Sequence, residues 1–218
     1  MPVVMNRKRK KYANIKEIML NYILDNSKKY ILVTLIFIVG IFAGVIIVNN
    51  SSQDTNSQIA NCITEFINSF KMTQEIDSGD LMILSIKRNV IIALFLWFAG
   101  TTVIGIPVVF LLIFYRGLSL GYTISAFTCV LGTGKGILFS IVALCLQNVL
   151  FIPAILTIGV SSIKLYKSIL KDRRKENIKL EIFKHTIISC IMLGVLILAS
   201  FIEYGISFNI LQKTISIL

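Results

Sequence analysis

Five apolar stretches, most of them as long as a membrane is thick, limit what this chain can become. A helix needs roughly 20 consecutive apolar residues to cross the hydrocarbon layer, where the backbone must satisfy its own polar groups. The stretches run approximately over residues 30–48, 90–114, 118–131, 137–163 and 186–202, the third being short. Composition agrees, with 56% of the 218 residues hydrophobic and only 15% charged, far from the balance of a soluble domain. The expected fold is all-α: a polytopic integral membrane helical bundle of five transmembrane helices.

The net charge of +11 is gathered beside these stretches rather than spread over a foldable soluble face. That placement argues for membrane orientation and against nucleic acid. Eight cations precede the first stretch (Arg7, Lys8, Arg9, Lys10, Lys11, Lys16, Lys28, Lys29), and a second block runs from Lys164 through Arg173, Arg174 and Lys175 to Lys184. Both are expected in the cytoplasm. Residues 49–89 carry Lys71, Lys87 and Arg88 against Asp54, Glu65, Glu75, Asp77 and Asp80, and are expected outside. The organisation is then a basic cytoplasmic segment, 1–29, followed by a five-span membrane domain, 30–218. It has an outer amphipathic loop over 49–89 and a basic inner segment over 164–185. Counting crossings gives an inner turn at Tyr115-Arg116-Gly117, an outer turn at Gly132 to Gly136 and an outside C-terminus. The long basic lead and the lack of a small-residue cleavage site make the first stretch an uncleaved anchor. Cys62 alone of the four cysteines lies in the outer loop, so no disulfide framework is expected.

In the outer loop Ile59, Cys62, Ile63, Phe66, Ile67 and Phe70 recur at helical spacing. They predict an amphipathic helix that either packs on the bundle or lipid, or offers a docking surface. A second helix is expected after Ser78-Gly79-Asp80, where Asp80 can cap it. In the inner segment Ile163, Tyr166, Ile169 and Leu170 form an apolar stripe among cations, as in a helix lying on an anionic leaflet. The partner implied for the inner segment is membrane lipid.

What the chain lacks is equally informative. Its single histidine, His185, stands at the predicted inner edge of the last span, the place of a snorkelling boundary residue, and a metal site there has no obvious second or third member. No acid falls deep within a span, which argues against ion-coupled transport. "GTGKG" at Gly132 to Gly136 has too short a spacing for a phosphate loop and lacks Ser or Thr after Lys135. Neither a nucleophile with its base nor a carboxylate pair appears, so no enzyme activity and no cofactor are expected.

The spans are rich in small residues. Gly40 and Gly44 form one GxxxG, Gly117 and Gly121 another, and Gly100, Thr101, Thr102 and Gly105 lie together before Pro107. Such positions let helices approach closely. The fourth span contains Gln147 and Asn148 just before Pro153, which leaves the carbonyl of Val149 without its helical donor. An amide in hydrocarbon needs a partner, and the Gly100 to Thr102 region is the partner expected. This midplane polar cluster is either a clamp that fixes helix register or part of a path.

Two longer strings carry a family likeness. "FAGTTVIGIPVVFLLIFYRGLSLGYTISAF" from Phe98 and "GKGILFSIVALCLQNVLFIPAILTIGVSSI" from Gly134 resemble the stage II sporulation protein M (SpoIIM) family, as do "GIFAGVIIVNN" from Gly40 and "FIEYGIS" around Glu203 and Tyr204. The outer loop and basic inner segment carry no matching motif and inherit nothing residue by residue. The resemblance implies a noncatalytic protein of the mother-cell membrane during sporulation. Its implied partners are SpoIID-like and SpoIIP-like wall hydrolases, in septal wall thinning and forespore engulfment. Beside it stands a second expectation, a permease-like component that moves a lipid or cell-wall precursor. A third is a lipid sensor working through the amphipathic segments. Oligomeric state is not legible.

Overall fold

A computed structural model describes residues 21–72, 78–102, 104–171 and 175–202. Its main helices are α1 (Ser27–Asn49), α2 (Gln53–Met72), α3 (Ser78–Thr101), α4 (Gly105–Leu131), α5 (Thr133–Lys171) and α6 (Lys175–Ile202). There is no strand among the described residues. Among the described residues five segments are long and apolar enough to cross a membrane: Ser27–Asn49, Met82–Thr101, Gly105–Leu131, Asn148–Leu170 and Ile178–Ile202.

The number of crossings is as predicted, but their boundaries differ. The 90–114 stretch is not one span. α3 ends at Thr101, and successive turns carry the chain into α4, with the amide of Thr102 on Ala99 O at 3.2 Å and that of Gly105 on Thr102 O at 3.2 Å. Pro107 therefore sits in the first turn of α4, where a missing N–H costs nothing because no intrahelical acceptor exists for it. The inner turn predicted at Tyr115-Arg116-Gly117 is helical instead. Arg116 lies eleven residues beyond Gly105 in the 27-residue α4. At the other end of α4 the turn contracts to Gly132, whose φ of +81° suits a residue without a side chain, and α5 begins at Thr133. The basic inner segment is not a separate surface helix. Residues up to Lys171 extend α5 and those from Lys175 open α6, so the two cationic runs are the paired ends of a helical hairpin.

Helix direction follows from the contacts. α1 and α4 are parallel, since Gly40 meets the α4 backbone at Phe114 to Leu118 and Gly44 meets it at Leu118 to Tyr122. α5 returns antiparallel to α4, with Phe139 tilted at 59° against Phe127 at 4.8 Å between ring centres and Phe151 under Arg116. α6 runs antiparallel to both α5 and α3, as the pairs Ser161–His185 and Asn89–Ser200 show. The bundle thus has a basic end, holding the start of α1 and the α3–α4 and α5–α6 connections. Its opposite end holds α2 and the α4–α5 turn.

α5 is the central element. Of its Asn148–Leu170 stretch 61% is buried, against 22–28% for the other four crossings. Its Phe151, Ala154, Ile155, Ile158, Val160 and Ile163 form one core with Val33 and Phe37 of α1, Ala93 and Leu96 of α3, Val109 and Ile113 of α4, and Leu196 of α6. A second, smaller core at the α2 end joins Ile59 and Ile63 to Val48, Ala126, Phe127 and Phe139. The amphipathic α2 is therefore seated on the bundle by two of its predicted apolar residues. Cys62 of that stripe is exposed, while the side chains of Phe66, Ile67 and Phe70 lie outside the described set.

The tightest packing is glycine against backbone. A methyl on Gly40 would collide with the carbonyl of Phe114, on Gly44 with that of Leu118, on Gly117 with that of Phe37 and on Gly121 with that of Ile41. The two GxxxG motifs read from the sequence are thus the two halves of one intramolecular interface. Hydrophobicity gives little force between helices in lipid, so close packing of this kind supplies the attraction. Gly44→Val or Gly121→Val is expected to lower stability by about 1–3 kcal/mol or more, the usual range for overpacking. Gly194→Ala should be neutral or mildly stabilising, because nothing lies within 4 Å of the added methyl. Thermal unfolding in detergent micelles measures both.

Candidate functional site

Three helices line a cavity of about 430 Å³ around the middle of the bundle. α3 contributes Arg88, Ile92 and Leu96; α4 contributes Leu112, Ile113, Tyr115, Arg116, Ser119, Leu120 and Thr123; α5 contributes Asn148, Phe151, Ile152 and Ile155; and Phe37 of α1 closes one side. The guanidinium carbon of Arg116 lies 4.1 Å from the centre of the Phe151 ring, a cation–π stack that holds the charge in an apolar surround. Tyr115 at the cavity edge is 62% exposed, so the space reaches the outer surface of the bundle.

A second polar cluster lies nearer the basic end. His185 of α6 is only 1% exposed. Its Nε2 is 3.3 Å from Trp97 O and its Nδ1 is 2.9 Å from Ser161 Oγ. A carbonyl can only accept, so Nε2 carries the hydrogen and donates it, and the Ser161 hydroxyl donates to Nδ1 of the neutral ring. Gly100 makes room for this contact. A methyl there would come within 2.8 Å of His185 Nε2 and still closer to Ser162 Oγ. Trp97 Nε1 donates to Thr186 Oγ1 at 3.2 Å, adding a second tie between α3 and α6. Beyond α1, Tyr22 lies under Lys164, with Nζ 5.7 Å from its ring centre, and burial, then proximity to Tyr30, pushes its phenol up to about 12. It stays protonated at neutral pH.

Toward the α2 end, the fully buried Asn89 ties α3 to α6. Its Nδ2 donates to Ser200 Oγ at 2.8 Å and toward Leu196 O at 3.4 Å. Interhelical bonds of this kind contribute about 0.6–2 kcal/mol each.

The predicted midplane cluster is therefore divided. Gly100 faces Ser162 and His185, about 21 Å along α5 from Asn148 at the α-helical rise, so the expected pairing of Asn148 with 100–102 does not occur. Thr101 and Thr102 instead bond back within their own turn, to Phe98 O at 2.7 Å and Ala99 O at 3.0 Å. Gly105 packs on the carbonyl of Ala99 inside the α3–α4 connection. Asn148 lines the cavity together with Arg116, Ser119 and Thr123. Gln147 occupies a helical position in α5, but its side chain lies outside the described set. Pro153 is exposed inside α5, and its carbonyl accepts from Thr157 Oγ1 at 2.8 Å. Glu203 and Tyr204 lie outside the described residues.

Sequence reading missed Arg116, Asn89 and His185 as interior residues. Each was assigned to a boundary, because a polar residue at the presumed edge of an apolar run calls for no partner. The signal that would have placed Arg116 is Gly-x-Pro at Gly105, a helix start that makes Arg116 central.

The family model described as stage II sporulation protein M matches residues 33–207. The chain belongs to the stage II sporulation protein M family. No match is found among curated proteins or solved structures. The SpoIIM match takes in α1 from Val33, the whole glycine interface, the cavity and the His185 cluster, so the SpoIIM region and the membrane bundle are one unit. This is a multi-pass SpoIIM-family membrane protein, and its polar interior lies within the matched region.

His185→Phe keeps the volume of the ring but removes both hydrogen bonds, with an expected loss of about 1–3 kcal/mol. Gly100→Ala should lose a comparable amount by steric clash. In Gly100→Ala/His185→Ala the smaller side chain relieves the part of that clash made by His185, so the two changes should cost less together than the sum of the single variants. Unfolding midpoints for the three variants, Gly100→Ala, His185→Ala and the double, measure this coupling.

Proposed function

We propose that this protein is a noncatalytic membrane scaffold that anchors and localises peptidoglycan-degrading enzymes for septal wall thinning and forespore engulfment. It works in the mother-cell membrane, with its N-terminus in the cytoplasm and its C-terminus outside. The partners are SpoIID-like and SpoIIP-like hydrolases, and the wall chemistry is theirs. Family membership supports the sporulation setting.

The single observation that carries the docking role is the seating of α2. Ile59 and Ile63 fix it to α1, α4 and α5 through Val48, Ala126, Phe127 and Phe139, while Gln53, Asp54, Asn61, Thr64 and Asn68 remain exposed. A two-faced helix held at one end of a membrane bundle presents a fixed polar surface beyond the lipid. The acid excess of this segment and the cation excess at the bundle's other end support an outward α2.

A permease-like reading has one observation in its favour, the arginine-bearing cavity that reaches the bundle surface. Asn148→Ala separates the two readings. A scaffold should lose protein level or partner recovery together with function, whereas a permease stays abundant and assembled but inactive.

Affinity capture of the full chain from sporulating membranes is expected to recover a wall hydrolase. Asn61→Arg with Asn68→Arg should reduce that recovery at least fivefold without lowering protein level. Capture without hydrolases, a reporter that places residues 53–72 in the cytoplasm, or digestion of sacculi by the purified chain would refute the scaffold.

A further inference from the structure

The cavity among α3, α4 and α5 is polarised along the membrane normal. Helix direction places Arg88, Thr123, Ser119 and Asn148 on the α2 side of the space, Arg116 at the middle of α4, and Leu96, Leu112, Ile113 and Ile155 toward the basic end. Arg88 and Leu96 alone are separated by about 12 Å along α3. Two guanidinium groups, those of Arg88 and Arg116, line the space. An arginine within a membrane helix is costly to insert, and residues of this kind mark binding sites or pathways. Arg116 is not spent on reaching the bilayer surface. It is stacked on Phe151 at 4.1 Å, which fixes the plane of its donors.

We propose that this cavity binds a phospholipid with an anionic headgroup, drawn from the leaflet on the α2 side. Arg88 and Arg116 hold the phosphate, since their planar N–H edges match its oxygens. Ser119, Thr123 and Asn148 supply neutral hydrogen-bonding groups beside it. The first methylenes of an acyl chain lie on Leu96, Leu112, Ile113 and Ile155. A volume of about 430 Å³ takes the head and the start of a chain, and the remainder leaves past the exposed Tyr115 into lipid. Charge complementarity selects the head, while the gradient from polar to apolar selects an amphiphile over a small soluble anion. The assignment is independent of the hydrolase partnership and of transport.

Native mass spectrometry of the full chain, released from detergent micelles containing equal phosphatidylglycerol and phosphatidylcholine, tests it. Wild type is expected to retain phosphatidylglycerol roughly tenfold over phosphatidylcholine, as expected for charge-assisted pairing. Arg116→Gln and Arg88→Gln should each bring that ratio to within about twofold of unity, while Lys179→Gln, at an exposed position on α6, leaves it unchanged. Arg88 is exposed, so Arg88→Gln folds even if Arg116→Gln does not, and unfolding midpoints establish which variants are intact. Inorganic phosphate at millimolar concentration should neither bind nor displace the lipid. A wild-type ratio near unity, unchanged selectivity in a folded Arg88→Gln, or displacement by inorganic phosphate would each overturn the assignment. The first two deny selection by these arginines, and the third makes this a site for a small anion.

Discussion

Contact between the backbones of α1 and α4 is the constraint on which this architecture rests. In lipid, one apolar face is no better than another, so two helices hold together only where their atoms come closer to each other than lipid can. Four glycines make that approach here, two on each helix, each placed against a carbonyl of the other. With α1 fixed along α4, Val33 and Phe37 reach the core built around α5, and Val48 reaches the small core under α2. Both cores therefore depend on the same seam.

Because α1 and α4 are parallel, the chain must return between them, and α3 supplies that return while α2 is left over as a loop helix at one end. Seating α2 and closing the seam are thus connected through Val48 and Tyr122, next to Gly44 and Gly121. The polar residues are distributed to match. Asn89 and His185 tie α6 to α3 and α5 through hydrogen bonds, and Arg116 with Asn148 borders the cavity that the three middle helices leave unfilled.

Much of this was legible in the sequence. Apolar length gave five crossings, helical spacing gave α2, and the two GxxxG motifs gave the residues of the seam, though not that they face each other. The α3–α4 break was missed because Val103, Ile104 and Ile106 keep the run apolar through the turn, so hydropathy carries no mark of it. Turn chemistry does carry one, in Thr-Thr followed by Gly-x-Pro. Misplacing that break moved Arg116 from the middle of a helix to a loop and hid the cavity. The amides of α5 were recognised as needing company, but a one-dimensional reading cannot know that α4 and not the end of α3 lies opposite Asn148. The family likeness found in the glycine and proline strings is borne out over residues 33–207.

The parallel pairing also governs how the molecule is made. Synthesis delivers segments in order, so α1 enters the bilayer before α4 exists. Until the ribosome has released α2, α3 and most of α4, the bare glycine face of α1 meets acyl chains or an insertion factor. Its partner arrives late, and only then can α5 and α6 close over the pair. Early steps of biogenesis thus expose a surface that the finished protein conceals.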